Sequence, residues 1–316
     1  MNMYLAALLG FVLLFGGGEG LVRGAVAVAR RFGLSPLLIG LTIVAAGTSA
    51  PELIVSVSAA IKGNADIALG NVVGSNIFNV LGVLGISALI APIIVKPAEV
   101  KRDTLIMVVA MAALAVASQF GVIGWPVGLI FIAAIISYTV YSYRTELREK
   151  PAPSAELHEH EGEEFEGPSS LWLGLLYIAL GLGALVIGSQ LLVDGATQIA
   201  RTFGVPEAVI GLTLVAIGTS LPELATSIAA AFRGHSDVAV GNVVGSNIFN
   251  ALFIIGTTAV VRPIHVAESM ARLDVWIMVA VALVLVPLLI RRGRIGRLAG
   301  AALTTTYVAY AVMLLA

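Results

Sequence analysis

The chain has no cysteine and little charge. Of its 316 residues only 12% are Asp, Glu, Lys or Arg, whereas 59% are hydrophobic and the mean hydropathy is +1.00. Without cysteine the chain can form neither a disulfide nor a thiolate metal site. A soluble chain of this length needs far more charge to cover its surface. The formal net charge is −1 and no basic patch is present, so we expect no nucleic-acid partner.

Long apolar runs stand where a soluble chain would carry charge. Ten runs predict membrane-spanning helices, because about 17–25 apolar residues cross the hydrocarbon core of a bilayer. They cover residues 2–29, 35–61, 66–91, 103–119, 122–143, 170–200, 206–232, 237–261, 273–290 and 296–315. The runs are continuous, unlike the short alternating segments of a membrane β-barrel. We therefore expect an all-α protein of the plasma membrane with ten transmembrane helices.

Two stretches of the sequence occur twice, 171 residues apart. GNVVGSNIFN stands at 70–79 and again, letter for letter, at 241–250. IGLTIVAAGTSAPEL at 39–53 returns as IGLTLVAIGTSLPEL at 210–224, with 12 of 15 positions identical. The chain is therefore predicted to be a tandem duplication. The first five-helix repeat takes up residues 1–143, an acidic linker 144–169, and the second five-helix repeat 170–316.

The distribution of Lys and Arg predicts the orientation of the two repeats. Most of these residues fall in one set of alternate loops, which the positive-inside rule places in the cytoplasm. Both termini are then external and the central linker is cytoplasmic. With five spans each, a half that begins outside ends inside, so the second repeat is inverted relative to the first. Inverted repeats are typical of secondary transporters.

The acidic linker breaks the apolar pattern with six Glu between residues 154 and 168. Its shortage of hydrophobic residues favours a flexible, solvated connector. A regulatory cation-binding loop, with His158 and His160 as candidate ligands of a transition metal, is the alternative. Asp66 and Asp237 begin the third and eighth runs, where they fit helix N-caps or groups that attract cations to a nearby site.

Each copy of the longer repeat contains Gly-Thr-Ser-x-Pro-Glu, at 47–52 and at 218–223. Proline within a helix removes a hydrogen bond and clashes with the carbonyl four residues earlier, here that of Gly47 or Gly218. We therefore expect both helices to be kinked or opened at this point. In hydrocarbon the freed carbonyls are tolerated only where another partner, such as an ion in a cavity, satisfies them.

Polar side chains share helix faces within these motifs, because they stand four residues apart. The pairs are Thr48 with Glu52, Ser75 with Asn79, Thr219 with Glu223, and Ser246 with Asn250. Their oxygens are hard ligands, which suit Ca²⁺ or Na⁺ rather than Zn²⁺ or Cu²⁺. A carboxylate inside a membrane by default marks an ion path. Small polar residues can also merely join helices, but that role leaves two glutamates without a basic partner unexplained.

The two motifs, each present in both halves, resemble the α-repeats of the Ca²⁺:cation antiporter superfamily, above all its prokaryotic sodium/calcium exchanger branch. The resemblance covers the whole chain. It implies a core with three Na⁺ sites and one Ca²⁺ site, across which the first and sixth helices slide as a gating pair. Carried over, the metal ligands are Thr48, Ser49, Glu52, Ser75, Asn79, Thr219, Ser220, Glu223, Ser246 and Asn250, with backbone carbonyls near Ala45 and Ala216 as further ligands.

The resemblance implies that the protein is an antiporter and not an enzyme. Such an antiporter exchanges Na⁺ for Ca²⁺ by alternating access and extrudes Ca²⁺ electrogenically. We expect no cofactor and no protein partner, only the transported Ca²⁺ and Na⁺ and the lipid bilayer. Some exchangers carry Asp where this chain has Asn250, and an amide cannot take up a proton at that position. This favours Na⁺ over H⁺ as the counter-ion. A Ca²⁺/H⁺ antiporter of the same superfamily and, less favoured, a cation channel are the alternatives.

The first and sixth spans carry polar pairs of their own, Glu19 with Arg23 and Gln190 with Asp194. Glu19 and Arg23 can pair along one helix, or Arg23 can pair with Asp194 across the two halves. Such a pair is either a latch that breaks when the helices slide or a static contact at the lipid headgroups.

Overall fold

Helices make up nearly all of the chain that is described in a computed structural model, residues 2–32, 35–63, 65–148, 170–203 and 216–315. The first half contains α1 (Met3–Phe32), α2 (Pro36–Ile39), the π-helical π1 (Gly40–Val44), α3 (Ala45–Thr48), α4 (Ala50–Ile61), α5 (Ala65–Phe78), π2 (Asn79–Val83), α6 (Leu84–Ile90), β1 (Ile93–Ile94), α7 (Pro97–Ser118), β2 (Val122–Ile123) and α8 (Trp125–Arg148). The second half contains α9 (Leu171–Thr202), α10 (Ala216–Thr219), α11 (Leu221–Phe232), α12 (Ser236–Phe249), π3 (Asn250–Ile254), α13 (Ile255–Val261), β3 (Ile264–His265), π4 (Met270–Asp274), α14 (Val275–Leu285), π5 (Val286–Arg291), β4 (Arg294–Ile295) and α15 (Arg297–Leu315). Helices satisfy their backbone hydrogen bonds internally, as a bilayer requires.

The number of spans in the described residues is lower than the ten predicted. Every predicted apolar run coincides with helix, the seventh from Ala216 onward. Only six described helices, however, are long and apolar enough to cross a membrane, or seven if the bent run at 37–61 counts as one span. α7 is not among these helices, because its first turns contain three consecutive charged residues, Lys101, Arg102 and Asp103. The run predicted at 206–232 is described only in its second part.

The two spans that carry the duplicated decapeptide lie at the centre of the molecule. In an apolar stretch of 18 residues within the span 236–261, 89% of the residues are buried, and in the corresponding stretch of the span 67–90 the share is 78%. In the four other spans only 28–39% are buried. The outer helices and their connections instead expose large apolar side chains such as Phe120, Trp125 and Trp172. The decapeptides are therefore shielded from lipid by the rest of the protein.

Helices α1 and α9 pack backbone to backbone along lines of glycine. A Cβ atom on Gly10 would lie 2.7 Å from the carbonyl oxygen of Gly188, and one on Gly24 would lie 2.6 Å from that of Gly174. The partners follow one another in opposite order along the two helices, so α1 and α9 run antiparallel. They are equivalent elements of the two halves, because the offset of 171 residues relates them.

Within the described residues, four two-residue strands connect the halves. β1 pairs antiparallel with β4, with Ile93 opposite Ile295, and β2 pairs antiparallel with β3, with Ile123 opposite Ile264. Strands of two residues have no periodicity that a sequence could reveal, so they were not predicted. His265, the second residue of β3, is exposed.

The start of α12 differs from the prediction that Asp237 is its N-cap. The helix begins at Ser236, with His235 at the N-cap position. Asp237 lies in the first turn, where its Oδ1 accepts a hydrogen bond of 3.0 Å from the N–H of Val238. The prediction is wrong by two residues, because an acidic side chain suits the first turn as well as the cap. The corresponding α5 begins at Ala65, and the side chain of Asp66 lies outside the described part of the chain.

Candidate cation site

Both Gly-Thr-Ser-x-Pro-Glu segments interrupt a helix, as predicted. The first half breaks between α3 and α4 at Ser49, with φ −82° and ψ 8°, and the helical parts on either side meet at 45°. The second half breaks between α10 and α11 at Ser220, with φ −93° and ψ 10°. Each following helix has proline in its first turn. Proline is tolerated there, because the N–H groups of a first turn have no acceptor within the helix. The glutamates, Glu52 and Glu223, lie in those first turns, where the helix dipole favours negative charge.

The two glutamates are held by serines of the opposite half. Ser49 donates a hydrogen bond of 2.9 Å to Glu223 Oε1, and Ser220 donates one of 2.9 Å to Glu52 Oε1. All four residues are fully buried. The two breaks therefore meet at one place, and the carboxylates of both halves share one site inside the molecule.

An asparagine in the first decapeptide fixes the break of its own half. Asn71 Nδ2 donates to Ser56 Oγ at 3.0 Å and to the carbonyl oxygen of Glu52 at 3.2 Å. Its Oδ1 faces Thr219 Oγ1 of the other half at 3.5 Å. Asn71 therefore binds a carbonyl at the start of α4 and contacts the opposite break.

The second half repeats this arrangement with Asn242. Its Nδ2 donates to Ser227 Oγ at 3.0 Å and to the carbonyl oxygen of Glu223 at 3.2 Å. Its Oδ1 lies 3.2 Å from Thr48 Oγ1. The contacts agree with those of Asn71 residue by residue at the offset of 171, so the site has an approximate twofold symmetry.

The last asparagine of each decapeptide begins a π-helical turn. Asn79 is the first residue of π2, and its Nδ2 donates to Asn247 Oδ1 at 3.2 Å. Asn250 is the first residue of π3, and its Nδ2 donates to Asn76 Oδ1 at 3.1 Å. Single π turns within α-helices are frequent at functional sites, because they re-aim side chains locally.

Several buried oxygens of the site have no hydrogen bond of standard geometry to any residue that the structure describes. They are Glu52 Oε2, Ser75 Oγ, Asn79 Oδ1, Glu223 Oε2, Ser246 Oγ and Asn250 Oδ1. Unpaired buried polar atoms cost about 1–3 kcal/mol each, so a native protein seldom keeps one without a reason. Here three such atoms in one half have their equivalents in the other. The set consists of hard oxygen atoms with two carboxylates among them, and it can hold cations such as Ca²⁺ or Na⁺.

The chemistry of the described residues differs from that of a transition-metal site. The described ranges contain no group of three or more His, Cys, Asp or Glu side chains that could hold a metal ion. Amide and hydroxyl oxygens supply most of the polar atoms around the two glutamates, as hard cations prefer. The alternative site at His158 and His160 lies outside the described residues.

Eight of the ten predicted side-chain ligands make hydrogen bonds between the two halves, and the other two, Ser75 and Ser246, are buried. The backbone carbonyl of Ala45 accepts the N–H of Ser49 at 3.0 Å and lies 3.3 Å from Thr48 Oγ1. Its counterpart Ala216 begins α10, at the edge of the described segment. A carbonyl oxygen has two acceptor lone pairs, so one hydrogen bond to Ser49 does not prevent it from binding an ion, and both carbonyls stay predicted ligands.

Sequence reasoning missed the asparagines and serines that support the predicted ligands. The missed residues are Asn71, Asn76, Asn242 and Asn247, together with Ser56 and Ser227. The sequence did contain a signal for the asparagines. Each of the two identical decapeptides contains three, of which only the last was predicted to be a ligand. Ser56 and Ser227 also align at the offset of 171.

A cluster of charges lies on the surface of α1. Glu19 pairs with Arg23 at 2.5 Å along the helix and also with Arg233, which follows the end of α11. Of the two pairings considered for Arg23, the one with Glu19 is present. Because Arg233 belongs to the second half, this cluster ties α1 to the helix that carries Glu223.

Comparison with known proteins agrees with these features. The sequence model of the family described as sodium/calcium exchanger protein matches residues 3–144 and 173–316. The chain is 39% identical to the putative antiporter CaxA of Alkalimonas amylolytica over 312 residues, with 97% of each chain covered. It is 32% identical to the sodium/calcium exchanger MaX1 of Methanosarcina acetivorans, with 98% of each covered.

Solved structures of the sodium–calcium exchanger NCX_Mj share the fold. One of them, soaked with Na⁺ and Ca²⁺, superposes with a TM-score of 0.82 at 31% identity, and 98% of each chain is covered. The fold and the site thus define a helical membrane protein of the cation antiporter class. The chain belongs to the sodium/calcium exchanger family, whose members are transporters rather than enzymes.

Proposed function

We propose that this protein is a secondary antiporter that exchanges Na⁺ for Ca²⁺ by alternating access and extrudes Ca²⁺. The observation that carries the proposal is the twofold set of buried oxygens, two of them from glutamates, that have no hydrogen bond of standard geometry to the described part of the chain. The printed names of the relatives MaX1 and NCX_Mj as sodium/calcium exchangers support the same cations.

The proposed ligands are the predicted side chains of both halves. Glu52 and Glu223 supply the charge, and the amide and hydroxyl oxygens around them complete the coordination. Ca²⁺ carries two positive charges, and each half of the site supplies one of the two carboxylates that balance them. Binding therefore requires that both breaks stay together, as the cross-half serine bonds hold them.

Charge balance explains why such a site would exchange ions rather than leak them. Closing the cavity over two bare carboxylates leaves buried charge unpaired, which costs several kcal/mol for each ion. One Ca²⁺, or two or more Na⁺, removes that cost. The loaded protein can then change sides while the empty one cannot, and only such a difference lets a ligand shift a conformational equilibrium. A third Na⁺ would make the exchange electrogenic.

The proposed architecture consists of ten spans in two inverted five-helix repeats, residues 1–143 and 170–316, joined by the linker 144–169. The antiparallel packing of α1 and α9 supports the inversion, and the two separate stretches that the family model matches support the division into two repeats. The loop charges support external termini and a cytoplasmic linker. In this arrangement α1 and α9 form the gating pair, and the Glu19–Arg233 contact is the latch.

The counter-ion is proposed to be Na⁺, with a Ca²⁺/H⁺ antiporter as the second candidate. The four residues at the centre are Glu52, Asn79, Glu223 and Asn250, and two of them are amides that cannot titrate. The two glutamates can take up protons, which is the observation that keeps proton coupling as the second candidate.

An uptake assay separates the two counter-ions. The purified protein is reconstituted into vesicles, and Ca²⁺ uptake is measured at one fixed pH with an outward Na⁺ gradient, then without Na⁺ but with an outward proton gradient. Na⁺-driven uptake that an inside-positive potential accelerates and an inside-negative one slows agrees with three Na⁺ leaving per Ca²⁺, because one net positive charge then leaves the vesicle. Uptake driven by protons alone would overturn the assignment of Na⁺.

A further inference from the structure

Two methionines accept hydrogen bonds from the amide network of the site. Asn247 Nδ2 points to Met107 Sδ at 3.6 Å, and Asn76 Nδ2 points to Met278 Sδ at 3.5 Å. All four residues are fully buried. The two methionines lie on α7 and α14, at positions related by the offset of 171 residues. Neither helix supplies any of the proposed ligands.

The contacts form two chains of hydrogen bonds that run in one direction. In the first chain, Asn79 Nδ2 donates to Asn247 Oδ1, and Asn247 Nδ2 donates to Met107 Sδ. The second chain runs from Asn250 through Asn76 to Met278. At the start of each chain an amide oxygen, Asn79 Oδ1 or Asn250 Oδ1, has no partner among the described residues.

A thioether sulfur sets the direction of such a chain, because it accepts hydrogen bonds and has no proton to donate. The amide of Asn247 must therefore turn its NH₂ group to Met107 and its oxygen to Asn79. Asn79 in turn must present its NH₂ group to Asn247. Its oxygen is then the atom left for the site. Without the sulfur, the amides of Asn79 and Asn247 could both turn over. Asn79 would then present its NH₂ group to the site, and an NH₂ group repels a cation.

We propose that Met107 and Met278 are positioning residues that, through Asn247 and Asn76, aim the amide oxygens of Asn79 and Asn250 at the transported cation. The inference rests on the proposed function, because it assumes that these oxygens bind cations. Partners behind the ligands of a metal commonly change its affinity about 10–100-fold. A thioether is a weak acceptor, so the expected effect lies below that range, at about three- to tenfold.

The test compares substitutions that keep volume and remove the sulfur. Met107→Leu and Met278→Leu are nearly isosteric changes that cores tolerate well. The control is Met111→Leu, one turn further along α7, where the methionine is equally buried in the apolar core. Equilibrium binding of Ca²⁺ to the full-length protein in nanodiscs is measured alongside the maximal transport rate. We expect Met107→Leu and Met278→Leu to weaken Ca²⁺ binding by about three- to tenfold, and Met111→Leu to leave it unchanged.

A second variant separates positioning from packing. Met107→Gln places an acceptor oxygen at about the same reach as the sulfur. Positioning predicts that Gln binds Ca²⁺ more tightly than Leu at residue 107, whereas packing alone predicts the opposite, since it favours the apolar side chain. In an Asn79→Asp background, Met107→Leu should no longer weaken binding, because a carboxylate presents an oxygen whichever way it turns.

The outcomes distinguish this inference from the proposed function. If Glu52→Gln abolishes Ca²⁺ binding but Met107→Leu binds Ca²⁺ like Met111→Leu, the positioning role is wrong and the site stands. The role is equally refuted if Met107→Gln binds less tightly than Met107→Leu. If the wild type binds no Ca²⁺ at all, the proposed function itself fails, and the positioning role fails with it.

Discussion

The Oε1 atom of each buried glutamate accepts a serine hydroxyl from the other half, whereas its Oε2 atom has no hydrogen bond of standard geometry to the residues that the structure describes. At the scale of single residues, this difference between the two carboxylate oxygens is the main physical argument for a cation site. The serine bond fixes the orientation of the carboxylate, and the remaining oxygen retains its charge for a ligand. If the glutamates served only to join helices, we would expect both oxygens of each carboxylate to accept hydrogen bonds.

Neutralising either glutamate tests the site. Glu52→Gln and Glu223→Gln keep the shape of the side chain but remove half of the negative charge that balances Ca²⁺. We expect either variant to fold and to lose Ca²⁺ transport by at least about a hundredfold, because an uncompensated charge in the closed site costs several kcal/mol. The matched control is Glu268→Gln, an exposed glutamate paired with Arg272. Wild-type flux in Glu52→Gln would refute the site.

A carboxylate at position 250 should make transport depend on pH. In the wild type Asn250 donates to Asn76 Oδ1, so Asn250→Asp sets two acceptors against each other until the Asp takes up a proton. As the pH falls the new carboxylate becomes protonated and resembles the amide. We therefore expect the variant to approach wild-type Na⁺-driven Ca²⁺ flux at acid pH and to differ at alkaline pH. Curves that superpose over the whole range would mean that position 250 does not face the ions.

The sequence predicted the charged and terminal residues of the site better than its supporting residues. Glu52 and Glu223 are conspicuous because a charge in an apolar run has few explanations. Asn71, Asn242 and the two methionines were not predicted, because their role depends on which side chain of another helix they meet. A hydrogen bond between residues about 140 or more positions apart leaves no local pattern.

At the scale of elements, the broken helices were predictable and the π-helical turns were not. Proline after Gly-Thr-Ser has one local consequence, the loss of a backbone hydrogen bond, so the breaks at Ser49 and Ser220 follow from the sequence. The π turns beginning at Asn79 and Asn250 involve one extra residue in a helix of ordinary composition. Their causes are tertiary contacts, which a single sequence does not show.

The glycine contact between α1 and α9 gives a prediction for one pair of substitutions. A Cβ atom on Gly181 would lie 2.6 Å from the backbone nitrogen of Leu21, whereas one on Gly183 meets nothing within 4 Å. Gly181→Ala should therefore push the helices apart and destabilise the protein by about 1–3 kcal/mol. Gly183→Ala, two residues away on the same helix, should be neutral or slightly stabilising.

Thermal unfolding in detergent, followed by size-exclusion chromatography, measures both variants under one condition. A clear fall in melting temperature is expected for Gly181→Ala alone. Equal melting temperatures for the two variants would contradict the close packing of α1 against α9.

At the scale of the whole molecule, duplication and hydrophobicity were enough to predict a helical membrane protein with two related halves. The count of spans was less predictable, because α7 carries charge in its first turns and the run at 37–61 is bent by 45° at its Gly-Thr-Ser-x-Pro-Glu segment. The strand pairs between the halves were invisible for a different reason, since two residues are too few for a pattern.

The acidic linker is expected to be dispensable for basal exchange. Deleting residues 152–166 removes all six glutamates that lie between residues 154 and 168, but no predicted span and no part of the described site lies within that segment. We expect the deletion variant to keep the wild-type rate of Na⁺-driven Ca²⁺ flux within about twofold, as is usual for a solvated connector. Loss of a dependence of the rate on cytoplasmic Ca²⁺ would show instead that the linker is a regulatory loop.

The central claim is that Ca²⁺ and Na⁺ use the same two carboxylates in turn. The most direct measurement is equilibrium Ca²⁺ binding to the purified protein, titrated with Na⁺ at constant ionic strength and pH. Because two charges must be balanced, at least two Na⁺ should displace one Ca²⁺, and the apparent dissociation constant for Ca²⁺ should rise more steeply than linearly with Na⁺ concentration. A dissociation constant that stays unchanged as Na⁺ replaces an inert cation would contradict the claim.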